Sequence, residues 1–288
     1  MVKERPMRGM HRLRRLLGLV PQEAPPREGL DSKYERRSPH AQNALDLISG
    51  WTGSFPGALG LEAGNLALHA DQRLHWALDQ YGPVEGASVL ELGPLEGGHS
   101  ALLEARGAES VLAIEANKKA YLKCLIAKEI MELKRCRFLL GDFEKYLHET
   151  DTEFDIVLAS GVLYHMQNPV HVLDRIGRRC QTMILWTHYF DPEIMHEHET
   201  RRGAFLGEIK TLEHDGQSYR LYQRGYHEAW HADSYCGGPD DTHYWMERPD
   251  IIDLCERNGF NDIRVAFEDL DGPNGPSCLF YMTKQEGG

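Results

Sequence analysis

The chain has 288 residues, 41% of them hydrophobic and 26% charged, the composition of a soluble globular protein with one large core and room for insertions. No run of 18 apolar residues exists, so no segment reads as a membrane span. A formal charge of -12 argues against broad nucleic-acid affinity, which needs a basic footprint, and leaves room only for a local basic patch. Six cysteines (Cys124, Cys136, Cys180, Cys236, Cys255 and Cys278) are scattered with no C-x-x-C pair, so free thiols in a reducing cytoplasm are expected.

Residues 1–38 read as a basic tail and Pro-rich linker. Lys3, Arg5, Arg8, Arg12, Arg14 and Arg15 precede LLGLV, whose apolar core is too short for a secretory signal and lacks a small-residue cleavage site. The alternative is an arginine-rich amphipathic contact with an anionic membrane or a partner. Residues 39–84 predict a helical cap, in SPHAQNALDLISGW and GNLALHADQRLHWALDQY, where apolar positions recur at three-and-four spacing.

From residue 85 to 187 short β-rich runs alternate with helical stretches. SVLEL, SVLAIE, CRFLL, FDIVLAS and QTMILWT are the strands; HSALLEARG, NKKAYLKCLIAKEIMELK, FEKYLHE and NPVHVLDRIG are the helices between them. Buried strands alternating with amphipathic helices imply βαβ units and a mostly parallel sheet covered on both faces. Residues 188–249 lose this period and are rich in His, Tyr and Trp. They read as an inserted lid after strand five, with a hairpin expected in GQSYRLYQRGYHEAW. Residues 250–288 resume with the helix PDIIDLCERNGF and two strands, NDIRVAFED and SCLFYMTK, around DGPNGP, an antiparallel hairpin at the sheet edge. The fold class is therefore α/β, Rossmann-like, with seven strands.

Four features fall at the carboxyl ends of successive strands, where open α/β sheets bind ligands. Glu91 and the loop GPLEGG, with Gly93, Pro94, Leu95 and Gly97, follow the first; Glu115 and Ala116 follow the second. Asp142 and Phe143 follow the third, and Ser160 and Gly161 open ASGVLYHM after the fourth. The loop fits no dinucleotide fingerprint, because Leu95 stands at the second glycine position, and no Gly-Lys-Ser/Thr cradles a phosphate.

In this order the motifs resemble those of the class I S-adenosylmethionine-dependent methyltransferases. The likeness is greatest to the branch holding tRNA wobble-uridine carboxymethyltransferases and related small-molecule and sugar methyltransferases. It covers roughly residues 85–187 by motif. It implies S-adenosylmethionine as cofactor, ELGPLEGG as its amino-acid loop, Glu115 as the acid accepting from two ribose hydroxyls, and Asp142 with Phe143 at the adenine. A cationic sulfonium and amino group suit an acidic, backbone-rich loop. Two plainer readings stay open: Glu115 as a cap for the next helix, and Asp142 as an N-cap for FEKYL.

Tyr164 and His165 lie just past strand four, beside the expected methyl. His165 reads either as a base or as a brace for its loop. In the insert, His188, Tyr189, Tyr222, Tyr226, His227, Trp230 and Trp245 offer aromatic walls for a ring-bearing or sugar-like acceptor, although many must form the insert's own core. His227 with His231, and HEHE at 196–199, are the candidates for metal; neither has a firm third ligand, so no metal is assigned. The expected activity is O-methylation of a small molecule. A tRNA-modifying methyl or carboxymethyl transferase and a non-catalytic cofactor-binding partner subunit are the alternatives, and a homo-oligomer is compatible with all three.

Overall fold

The computed structural model of the chain describes residues 33–227, 229, 235 and 237–285; the basic tail, Trp230, His231 and Cys236 lie outside them. Five strands, β1 (Ser88–Leu92), β2 (Ser110–Glu115), β3 (Cys136–Leu140), β4 (Phe154–Ser160) and β5 (Cys180–His188), run parallel. A separate antiparallel sheet contains β6 (Phe205–His214), β7 (Gln217–Gly225) and β8 (Thr242–Met246). The last two strands, β9 (Asp262–Asp269) and β10 (Ser277–Thr283), complete the main sheet in the order β3-β2-β1-β4-β5-β10-β9, with β10 antiparallel to both neighbours. This is the seven-stranded, Rossmann-like arrangement expected.

The strands' alternation divides the apolar side chains between two cores. Val89, Val111, Ala113, Ile156 and Ile184 meet helices α2 (Gln72–Tyr81), α3 (Gly98–Ala105) and α4 (Lys118–Ile130) on one face. Leu90, Leu92, Val157, Met183 and Phe280 meet α5 (Phe143–Glu149), α6 (Pro169–Gly177) and α7 (Arg248–Arg257) on the other. Side-chain caps start three of these helices: Asp71 accepts from Arg73 N, Asn117 from Lys119 N and Ala120 N, and Asp142 from Glu144 N.

Two expectations need correction. The N-terminal segment is less helical than its periodicity suggests: α1 spans only Ala41–Asp46. The Trp51 indole donates to the Leu45 carbonyl at 3.0 Å, taking an acceptor that a continuing helix would use. The following chain is a strap with two short 3₁₀ turns (Gly57–Leu59 and Leu68–Ala70) in which Gly53 bridges Leu66, and α2 begins only at the Asp71 cap. At Gly64 an added Cβ would lie 2.1 Å from the Thr52 carbonyl oxygen, so this crossing requires glycine.

The insert's hairpin also lies earlier than expected. Its tight turn is Asp215-Gly216, both with positive φ (47° and 77°), and it joins β6 to β7 with His214 paired to Gln217. That is the two-residue turn geometry favoured by Asp-Gly. The stretch GQSYRLYQRG supplies only the second strand, and β8 pairs with its other edge.

Candidate active site

A cavity of about 1130 Å³ opens at the carboxyl ends of the parallel strands. Its walls come from Gly93–Leu95 after β1, Glu115–Ala120 after β2, Phe143 after β3 and Ser160–Val162 with Tyr164–Met166 after β4. Thr52, Leu66 and Leu68 of the strap and Tyr235 with 237–241 of the insert close it from outside.

Loop geometry explains the departures from a glycine fingerprint. Gly93 has φ 63°, and a Cβ there would lie 2.7 Å from Val162 Cγ1, so the loops after β1 and β4 approach only because this residue is glycine. Leu95 also takes a left-handed conformation, φ 56°, which a side chain disfavours by roughly 1–2 kcal/mol. Its N–H donates to Glu115 Oε2 at 3.1 Å, and Asn117 N–H donates to Glu115 Oε1 at 2.8 Å. The backbone therefore turns toward the acid and does not retreat from it. Asn117 is the cap of α4; Glu115 instead stands on the cavity wall. Burial raises its carboxyl pKa, so the site favours a cation that would offset the buried charge.

The other predicted cofactor residues divide. Pro94, Ala116, Phe143, Ser160 and Gly161 reach the cavity, whereas Glu91 and Gly97 are buried behind its wall and Asp142 is exposed outside it. Glu91 is 2% exposed; it accepts from the Ser100 hydroxyl and lies 4.0 Å from His99 Nδ1, whose Nε2 is 2.9 Å from Asp71. His99 is on the wall, so Glu91 reaches the cavity through it. Gly97 starts α3, and Asp142 is the N-cap of α5, the plainer of its two readings. Glu96, in the same loop, was not singled out by the sequence. It is buried, pairs with Lys123 Nζ at 2.7 Å, and accepts from Thr52 N and Gly53 N of the strap.

Tyr164 and His165 form a single turn after β4 and line the cavity. His165 Nδ1 is 2.5 Å from Tyr226 Oη, which accepts from Gly238 N–H at 2.9 Å. Burial pushes His165 down to about 3, with His243, His188 and Arg224 acting in the same direction, so its ring is neutral.

Of the predicted acceptor residues, Tyr226 meets the cavity through His165. His188 is buried, stacked on Trp245 at 5.0 Å and 4.7 Å from the Tyr164 ring centre. Trp245 is buried behind it. Tyr222 stacks on Phe190 and lines a separate cavity of about 500 Å³ with Arg202 and Glu199. Tyr189 points into the main core, its hydroxyl donating to Glu268, and His227 lies beyond the end of β7, exposed. Trp230 is outside the described residues. Among the described residues the His/Asp group whose donor atoms converge is Asp174, His214 and Asp215, not HEHE, and Arg178 already pairs with both carboxylates.

A seven-stranded 3-2-1-4-5-10-9 sheet with a cavity at its strand ends that Glu115 helps to wall defines a class I methyltransferase, a class whose cofactor is S-adenosylmethionine. The chain belongs to the methyltransferase-domain family, whose sequence model matches residues 83–246, more than half its length. The N-terminal domain of EvdMO1 with S-adenosylhomocysteine (SAH) bound superposes with a TM-score of 0.60 at 22% identity, covering 85% of this chain and 94% of that one. The same domain in the presence of SAH and D-fucose gives 0.59 over the same shares. Magnesium protoporphyrin IX methyltransferase from Synechocystis gives 0.49 at 16% identity, covering 74% of this chain and 80% of that one. No curated protein matches the sequence.

Proposed function

We propose that this chain transfers the methyl group of S-adenosylmethionine to a hydroxyl oxygen of a small molecule held between the strand ends and the three-stranded sheet. The observation that carries the reading is the position of His165, on the wall of the cavity at the strand ends with its Nδ1 2.5 Å from Tyr226 Oη. The cofactor, when bound, supplies a methyl group on a cationic sulfur. Glu115 suits the ribose hydroxyls, since each oxygen retains acceptor capacity after its backbone bond. Gly93 and Leu95 bring backbone close to the amino-acid moiety, and Phe143 offers apolar cover for the base. The neighbouring EvdMO1 domain, studied with D-fucose, favours a sugar-like acceptor.

Methyl transfer from a sulfonium is an in-line displacement, so the protein's task is alignment and removal of one proton. In the tautomer whose Nδ1–H donates to Tyr226 Oη, His165 takes that proton at Nε2 as the sulfur loses its positive charge, so the cavity's total charge is conserved. Tyr226 fixes the ring plane. The test is His165→Ala beside His165→Asn, assayed for methyl transfer to a panel of sugars and phenols with SAH binding measured in parallel. A fall in kcat of about a hundredfold or more with SAH affinity unchanged is expected. Unaltered turnover in either variant makes His165 a brace only.

A further inference from the structure

The side of the three-stranded sheet nearest His165 carries an unusual set of nitrogens. Antiparallel pairing sets Arg224 opposite His243 and Tyr222 opposite Trp245, so strand alternation turns these four side chains to one face. Leu221, Tyr244 and Met246 take the other face, in the main core. Tyr226, two residues beyond Arg224, continues the first set toward the cavity: its ring centre is 4.3 Å from that of His243, which is 5.8 Å from that of His165.

On this face, buried polar atoms lack partners among the described residues. They are both ring nitrogens of His243, which is 0% exposed, together with Trp245 Nε1 and Arg224 Nε. Buried polar groups are normally satisfied, and several orphans in one place point to a ligand or ion that completes them. Arg224 sharpens this. Its guanidinium lies 5.1 Å over the Trp245 ring, and its side-chain hydrogen bond among the described residues is a long contact from Nη2 to Asn274 Oδ1 at 3.4 Å. No described carboxylate forms an ion pair with it, in a protein of net charge -12. An Arg held half-buried without a counter-charge is costly unless something supplies one. Arg Nε–H and Trp Nε1–H are donors only, so the missing group must be an acceptor and, for Arg224, negative.

We propose that this face binds an anionic oxygen group, a carboxylate or phosphate, carried by the methyl acceptor. Arg224 provides the counter-charge, and Trp245 and His243 donate to its oxygens. The proposal rests on the reading of this sheet as the acceptor wall, and narrows the substrate class to acidic small molecules. It also gives the group a second effect. Arg224 is one of the charges that hold His165 deprotonated, so an anion on Arg224 raises that ring's proton affinity when the acceptor arrives.

The experiment titrates ¹⁵N-labelled protein with D-glucuronate, D-glucose 6-phosphate and D-glucose, with and without saturating SAH, following the Trp245 indole N–H assigned through Trp245→Phe. The two acids, or one of them, should shift that resonance while glucose does not; whichever acid acts identifies carboxylate or phosphate. Arg224→Gln should weaken acid binding about tenfold or more while SAH affinity is unchanged. Arg224→Met, which keeps the stack on Trp245, serves if the glutamine variant is unstable. Equal response to glucose, no response to either acid, or acid binding undiminished in a folded Arg224 variant overturns the proposal. Failure of SAH to bind at all would instead overturn the proposed activity, because the titration without SAH reads the anion site alone.

Discussion

Leu95 and Glu115 illustrate how much one residue of the loop depends on another. Leu95 keeps a left-handed backbone because its N–H has a charged acceptor 3.1 Å away, and the same carboxylate anchors Asn117 at the start of α4. Removing the acid should therefore cost twice: the ribose loses its acceptor, and the loop loses the bond that stabilises its strained turn. Hydrogen bonds to charged groups contribute roughly 1.5–3 kcal/mol each. Glu115→Ala is accordingly expected to weaken SAH binding about ten- to hundredfold in calorimetry, with the far-ultraviolet circular dichroism retained. Glu91→Gln is the contrasting substitution. Its carboxylate sits behind His99 and Ser100, so the expected loss in SAH affinity is smaller and arises through the position of His99. An equal or larger loss than for Glu115→Ala would give Glu91 the direct contact that the sequence suggested for it.

At the scale of elements, a buried ion pair ties the strap over the cavity to the core. Glu96 accepts from Thr52 N and Gly53 N, while Lys123 Nζ reaches both Glu96 and the Gly50 carbonyl. Glu96→Ala leaves the lysine buried without its partner, a change that typically costs 3–5 kcal/mol. A lowered Tm and faster proteolysis between residues 50 and 70 are expected, with SAH binding weakened because Thr52 and Leu68 cover the cavity. The Glu96 bonds join positions 43 and 44 residues apart, so no local period announces them. The parallel strands, by contrast, were legible as short apolar runs bounded by turn residues, even β3, where Arg137 and Leu140 are exposed. The small sheet was harder: β6 is largely exposed and carries no apolar run, and only Asp215-Gly216 marks its hairpin. The pairing of Arg224 with His243 was missed for a related reason, although the sequence showed His243 among the insert's rings. Their significance lies in the cross-strand register, which places them opposite each other, and YQRGY and THYW read separately reveal only two-residue alternation.

For the molecule as a whole, the buried histidines make stability depend on pH in a direction that follows from their surroundings. Burial holds both His165 and His243 at about 3 against an ordinary value of 6.5, with Arg224 acting in the same sense on each. Between those two values the unfolded chain binds the proton and the folded chain does not. Stability is therefore lost as pH falls from 6.5 toward 3, by at most about 1.4 kcal/mol per pH unit for each ring. Above 6.5 both states are neutral there and the rings add no pH dependence. Burial moves Glu91 and Glu115 the opposite way, raising them above 4.5, so their protonation on acidification favours the folded chain and offsets part of the loss. A wild-type melting curve mixes these effects, and the informative quantity is the difference from His243→Phe. The variant removes one proton sink from the unfolded chain and leaves the carboxylates in place. Its Tm should fall less steeply than that of the wild type between pH 6.5 and 4, and the two curves should run parallel above pH 7. Parallel curves throughout would mean that His243 takes up its proton in the folded protein, which an anion lodged against Arg224 would permit. Repeating the scan after exhaustive dialysis against chloride-only buffer separates that case, because the steeper wild-type slope then returns.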